Sequence, residues 1–420
     1  MSDRLVTAAL AETWALVEDI GRRTAGHPGI TRPAYGDGEQ LAMLAVAEFA
    51  TAQGLPVTWD AFGNQHIVLP GQDADASAIV VGSHLDSVPN GGNYDGLAGV
   101  AAGLATLLAV HRNSERPSRT VRLVALRGEE SPWFGTAYLG SRLLLGRSSL
   151  AEIGCLVRFD TGRTLDSHLA EHGPFEPAAP PLDASTAACY FELHIEQGPL
   201  LEGKGLPLGI ATACRGNIRF PAARCFGAYG HSAALPRAFR HDAVLAVAEL
   251  ALGLDAHWAE RVAAGDNNLV ITTGKFFTDP AQHAMTKVAG EVGFSVNMGA
   301  TDPAAMAEAR NVLNGLTEQI ARERGVRFDL GTEVGTPPLP LDPVLIGALE
   351  ASAAVLNLGT MRMPTVGHDA AMFAQAGIPA CVLLVRNAHG SHNPEETMTE
   401  EDFTAGGRVL AAAIARMAAL

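Results

Sequence analysis

The stretch Ala78-Ile79-Val80-Val81-Gly82-Ser83-His84-Leu85-Asp86-Ser87, closed by Gly91-Gly92-Asn93-Tyr94-Asp95-Gly96, sets the fold. Ala78–Gly82 is a short β-branched run that ends in a loop of glycine and polar residues. The loop empties into Gly96–His111, an apolar run with the character of a buried helix. Strand, polar loop and helix in that order build open α/β sheets, which carry their sites at the C-terminal ends of strands. His84, Asp86 and Asp95 therefore stand where chemistry is expected.

Working outward, Leu5–Ile20 and Gln40–Gln53 repeat apolar residues at helical spacing, and each ends in glycine, at Gly21 and Gly54. Val57–Leu69 has strand content around a Gly63-Asn64 turn. Thr120–Leu126 and Ala188–His194 are further strands, and Ala380–Val385 and a helix from Glu400 close the chain. The alternation predicts an α/β domain with a mixed, mostly parallel sheet flanked by helices. After Ala211 the texture changes: strands at Asn217–Phe226, Asn268–Phe277 and Val288–Asn297 alternate with helices at Asp242–Val262 and Asp302–Arg324. We expect residues 213–330 to be an inserted α+β domain and residues 1–212 with 331–420 to form the discontinuous main domain. No internal repeat is present, and the proline-biased Pro174–Pro181 reads as a surface loop.

A chain of 420 residues exceeds what one core needs, which agrees with two domains. Subtracting 45 acidic from 30 basic residues leaves −15, which argues against nucleic acid or an anionic membrane as partner. The five cysteines are scattered and without tight spacing, so all read as reduced and buried. The N-terminal segment is acidic at Asp3, Glu12, Glu18 and Asp19, unlike a signal peptide. The apolar Gly96–Val110 run is about 15 residues, short of the roughly 20 a membrane span requires. A cytoplasmic protein is expected.

Further chemistry-bearing residues follow strands. Glu129 and Glu130 are adjacent carboxylates whose side chains diverge, so that one can bind metal while the other moves protons. Glu192-Leu193-His194-Ile195-Glu196-Gln197-Gly198, Gly230-His231-Ser232 and Gly390-Ser391-His392-Asn393-Pro394-Glu395 complete the set. Histidines and carboxylates in such loops suit a borderline divalent ion. Two ions about 3.5–4 Å apart and bridged by a carboxylate would hold a shared water as hydroxide, ready to attack a carbonyl.

In order and spelling these motifs, together with Gly367-His368-Asp369-Ala370, resemble the peptidase M20 group, specifically its hydantoinase/carbamoylase branch of N-carbamoyl-L-amino acid amidohydrolases, β-ureidopropionases and allantoate amidohydrolases. The resemblance spans nearly the whole chain. It implies two divalent ions per subunit (Zn, Mn, Co or Ni), one held by His84, His194 and Asp95 and the other by Glu130, His392 and Asp95. It further implies Glu129 as general base, Asp86 behind His84 as its orienting carboxylate, and a homodimer formed through the inserted lid domain. His231 would reach the partner's site and steady the oxyanion. Gln197 would contact the substrate's amide or ureido group, with Thr286, Arg215 and Asn217 as further substrate contacts.

One element departs from the family pattern. Many carbamoylases carry an asparagine and, thirteen residues later, an arginine that grips the substrate carboxylate; here these positions are Thr286 and Gly299. Glycine cannot imitate a bidentate guanidinium, and Arg215, Arg219 and Arg237 are the candidate replacements. The expected reaction is hydrolysis of a linear C–N amide bond in an N-carbamoyl compound, with ammonia and carbon dioxide released from a small-molecule substrate. The alternatives are an N-acyl amino acid or dipeptide-like hydrolase and a non-catalytic binding homologue. Retention of Glu129 argues against the last.

Overall fold

The computed structural model describes residues 2–419 apart from Ser114, Pro174, Pro180, Pro181 and Asn267, so the proline-biased loop lies partly outside the described residues. The chain divides into two compact units, residues 1–212 with 341–420 and residues 213–340. The second unit runs to 340 rather than 330 because Val334–Thr336 returns to pair antiparallel with Gly216–Phe226, Thr336 opposite Asn217.

In the first unit the strands lie in the order Val57–Trp59, Gln65–Leu69, Val121–Leu126, Ala78–His84, Ala187–Ile195, Ala380–Val385 and Leu208–Cys214. The four from Val121–Leu126 to Ala380–Val385 are mutually parallel. Their C-terminal ends share one edge, with His84 opposite Leu126 and His194 opposite Leu384. The outer strands are antiparallel. This is the mixed, helix-flanked sheet that the sequence predicts.

The helix Leu97–Arg112 is buried along its whole length from Leu97 to Val110, as an all-round apolar helix must be. Its glycines let it lie close to the sheet: a Cβ on Gly103 would stand 2.7 Å from Leu123 Cδ1, and one on Gly99 would overlap the Leu193 carbonyl. The helices Asp3–Thr24 and Glu400–Met417 cover it. Close packing thus fixes the start of the helix, and with it the Asp95 turn, against the strand ends.

In the second unit Glu291–Ala300 and Gly216–Phe226 form the centre of a six-stranded antiparallel sheet. Leu250 and Leu254 of the helix Ala243–Ala263 and Leu313 of Pro303–Arg324 share a core with Phe220, Phe294 and Met298. The segment expected as one strand over Asn268–Phe277 is two short ones, Val270–Thr272 and Phe276–Phe277, both pairing with Glu291–Ala300. Lys287–Val288 leaves that sheet to pair with Gly230–His231. Cys189, Cys214, Cys225 and Cys381 are buried, but Cys155 is exposed, because it follows the short surface helix Leu150–Ile153.

Candidate active site

His84 closes its strand, and its Nδ1–H faces Asp86, with the carbonyl at 3.2 Å and Oδ1 at 3.3 Å. His194 directs Nδ1–H to the Ile195 carbonyl at 3.0 Å. With the hydrogens on Nδ1, both Nε2 atoms carry lone pairs inward. Those two nitrogens are 3.4 Å apart and stand 3.4 Å and 3.1 Å from Asp95 Oδ1. With both rings neutral, three donor atoms converge as a divalent cation requires.

A second convergence uses the other Asp95 oxygen. His392 Nε2 lies 3.6 Å from Asp95 Oδ2 and 3.4 Å from Glu130 Oε1. Among the described residues, the ligand atoms of His84, Asp95 and His194 lie within 4.8 Å of one another, and those of Asp95, Glu130 and His392 do likewise. Asp95 belongs to both sets. Mixed nitrogen and oxygen donors of this kind fit the borderline ions that the sequence suggests.

The electrostatics follow from burial. Desolvation works against the Asp95 charge, but the positive charge that His194 and His84 carry when protonated outweighs it and holds the carboxyl well below the usual range. Burial, with Glu130, Asp369 and Asp86 adding like charge, pushes Glu129 well above the carboxylate range, and only His84 opposes it. Glu129 Oε2 stands 4.0 Å from His84 Nε2, at the mouth of the first set. A carboxyl that stands beside these donor atoms and favours its protonated form is placed to take and return a proton.

Asp86 does more than orient His84. Its two oxygens accept the backbone N–H groups of Glu129 and Glu130, each at 3.0 Å, so one carboxylate fixes both residues in register with His84 on the neighbouring strand. Gln197, in left-handed backbone at φ 64°, donates Nε2–H to Asp95 Oδ2 at 2.7 Å, and its Oε1 is buried without a partner. Glu196 turns away and caps the Leu200 and Leu201 N–H groups at 2.8 Å. His368 is buried with its ring 4.2 Å from that of His194 and its Nε2 on Thr365 Oγ1, a packing position.

The remaining sequence candidates belong to the second unit and form two groups there. His231 is exposed, opposite Lys287, and its Nδ1 accepts the Ala233 and Ala234 N–H groups, so Nε2 carries the hydrogen outward. Thr286 is exposed beside it, its carbonyl accepting the Ser232 N–H at 2.8 Å. Arg240 braces the same loop through the Leu235 and Ser232 carbonyls. At the start of the long strand, Asn217 faces Gly299, donates to Thr336 Oγ1 at 3.0 Å and keeps a buried, unpartnered Oδ1. Arg215 is half-buried with Nε on the Asn268 carbonyl, and burial lowers its pKa. A Cβ on Gly299 would press on Gly216 O at 3.0 Å and Val270 Cγ2 at 3.2 Å.

Several supporting residues escaped sequence reasoning. Arg32 is fully buried and holds the Leu85 carbonyl at 2.8 Å and Asn93 Oδ1 at 3.0 Å, tying the two halves of the loop that opens the site. Glu39 accepts from Gly128 N–H and pairs with buried Arg127 at 2.7 Å, behind the Glu129 turn. Glu192 bonds Ser83 Oγ and the Ala370 N–H. Apart from the acidic Glu192 within a strand, no local pattern marks them, since their partners are 50 or more residues away.

Residues 80–416 match the profile of Peptidase family M20/M25/M40. A ureidoglycolate hydrolase of Arabidopsis thaliana is 30% identical over 93% of this chain and 82% of its own. An N-carbamoyl-L-amino acid amidohydrolase of Geobacillus stearothermophilus is 30% identical over 93% of this chain and 94% of its own. A solved amidase of the hydantoinase/carbamoylase family from Burkholderia multivorans superposes with a TM-score of 0.88 at 26% identity, covering 98% of both chains. With the motif order, the parallel strand ends and the shared aspartate, these likenesses establish that the chain belongs to peptidase family M20/M25/M40, in its hydantoinase/carbamoylase branch.

Proposed function

We propose that this protein is a metal-dependent amidohydrolase that cleaves the linear C–N bond of an N-carbamoyl compound. The observation that carries the reading is the pair of ligand sets sharing Asp95, with Glu129 poised beside them. His84, His194 and Asp95 would hold one divalent ion, and Asp95, Glu130 and His392 the other. Bound there, such ions supply Lewis acidity and lower the pKa of a coordinated water.

The chain's own residues do the rest. Glu129 takes the proton of the attacking water and returns it to the departing nitrogen. The unpartnered Gln197 Oε1 supports a contact to a substrate N–H. His231 offers an outward Nε2–H for the oxyanion, and in a homodimer it would serve the partner's site. Asn217 stands opposite Gly299 in register with Arg215 two residues before it, and Thr286 adds a hydroxyl beside His231. Water adds to the carbamoyl carbon, ammonia leaves with the proton from Glu129, and the carbamate left behind decomposes to carbon dioxide and amine. Among the described residues, no helix is long and apolar enough to cross a membrane.

The test is ammonia release by protein loaded with Mn²⁺ or Zn²⁺, across N-carbamoyl amino acids, allantoate, and neutral ureas and amides. We expect turnover of at least one ureido compound and none by Glu129→Gln. Turnover confined to N-acyl compounds, without ammonia, would replace this reading with the acylase alternative.

A further inference from the structure

Outside the residues already assigned, one buried carboxylate touches both loops that form the second ligand set. Glu396 is 4% exposed. Its Oε1 accepts the backbone N–H of Tyr94 at 2.9 Å and of Asp95 at 3.3 Å. Its Oε2 accepts the Ser391 hydroxyl at 2.8 Å, and Ser391 Oγ also lies 2.6 Å from Asp95 Oδ2. The Asp95 turn and the Ser391-His392 loop are some 300 residues apart in sequence; Glu396 bonds both, beside the direct contact of Ser391 with Asp95.

The surroundings are cut to fit it. A Cβ on Gly92 would overlap the Glu396 carboxylate, so the turn can close only around glycine. The loop it anchors is irregular: His389 and His392 have φ of 66° and 60°, conformations that non-glycine residues hold only when their surroundings impose them. His392 is itself half exposed, with a side-chain exposure of 52%, so packing does little to fix its ring. The first set depends on the brace less, because two of its three residues, His84 and His194, sit at the ends of hydrogen-bonded strands and only Asp95 is shared.

We propose that Glu396 is the positioning residue of the second cation site: by holding the Asp95 turn and the Ser391-His392 loop together, it makes Asp95, Glu130 and His392 one ligand set. The inference rests on the two-cation reading above and concerns metal affinity rather than turnover. Supporting hydrogen-bond partners of metal ligands are typically worth roughly 10–100-fold in affinity. Removing Glu396 should therefore weaken the second site by that factor and the first by clearly less, since the first shares only Asp95 with the braced segment. Glu396→Gln keeps an oxygen for the two N–H groups and should recover most of the loss. Ser391→Ala, which leaves Glu396 on the turn but cuts it from the loop, should fall between.

The experiment is calorimetric titration of the full-length, metal-stripped protein with Mn²⁺ or Co²⁺, paired with the Co²⁺ visible spectrum and a thermal unfolding curve for each variant. Two binding events are expected in the wild type, with the weaker displaced markedly more than the tighter in Glu396→Ala and restored in Glu396→Gln. Equal loss at both sites, no change at either, or fewer than two ions in the wild type would overturn the proposal. If Glu396→Ala unfolds, the Gln and Ser391→Ala pair decides: no selective weakening in Ser391→Ala overturns it. A wild type that binds two ions yet releases no ammonia from any ureido compound would count against the proposed reaction and leave this assignment standing.

Discussion

The two ligand sets share Asp95 and are otherwise built differently. In the first, His84 and His194 are buried, end neighbouring parallel strands, and have Nδ1 fixed on main-chain carbonyls. In the second, a buried Glu130 faces His392, which is half exposed and in left-handed backbone on a loop held by side-chain hydrogen bonds. The difference teaches that a sheet edge can preorganise one half of a centre at no local strain, while the other half depends on contacts made across the sequence. The first set should be rigid and the second more readily opened.

The sharpest way to break this contrast is at the shared ligand. Asp95→Ala should lose both ions and reduce ammonia release to background, whereas His392→Ala should keep one ion at His84 and His194. Metal content by mass spectrometry after dialysis decides, and equal loss in the two variants would erase the distinction. Glu129→Gln should keep both ions while kcat falls roughly 10²–10⁴-fold, the usual weight of a general acid–base group. Loss of metal in that variant would make Glu129 a ligand rather than a base.

Behind the Glu129 turn, the fully buried Glu39–Arg127 pair sharpens the comparison on the side of stability. Truncating one partner strands the other charge, so Glu39→Ala should cost about 3–5 kcal/mol in urea unfolding. A change under 1 kcal/mol would show the turn to be held without it.

A pH effect is expected away from the ligands. Burial first, then Arg158 and Arg163, depress His168 to about 4. The unfolded chain takes that proton near the ordinary value of about 6.5. Between these values the unfolded state binds more protons, so stability falls as pH drops from about 6.5 to about 4. His168→Gln should flatten that slope in thermal scans and leave the curve above pH 7 unchanged; an unaltered slope would assign the acid sensitivity elsewhere.

The smallest expected signal is complementation. Mixing Glu129→Ala with His231→Ala subunits should restore about a quarter of wild-type activity if His231 serves the partner's site, since half of the dimers are mixed and each has one complete site. No recovery after confirmed subunit exchange would place His231 in its own subunit's chemistry.

Much of this centre was legible in the sequence for a physical reason. His84, Glu130, His194 and His392 each follow a strand, and glycines mark the loops between, so strand-end logic alone gathers them. Gly96 shows why: at φ 67° it turns the chain beside His84, where a Cβ would stand 2.5 Å from Nδ1. Arg32, Glu39 and Glu396 were not legible, because each acts through main-chain groups far away in sequence and none has a local spacing that sets it apart. The same holds for the end of the second unit, expected at residue 330, which extends further because Val334–Thr336 pairs with Gly216–Phe226. The Glu396 brace is thus the part of the centre that only the folded chain reveals.

The central claim is a pair of cation sites joined by Asp95, and anomalous diffraction from crystals grown with Zn²⁺ or Mn²⁺ tests it most directly. The account predicts two peaks, one among His84, His194 and Asp95 and one among Asp95, Glu130 and His392, with the aspartate between them. A single peak, or peaks that leave Asp95 uncoordinated, would contradict it.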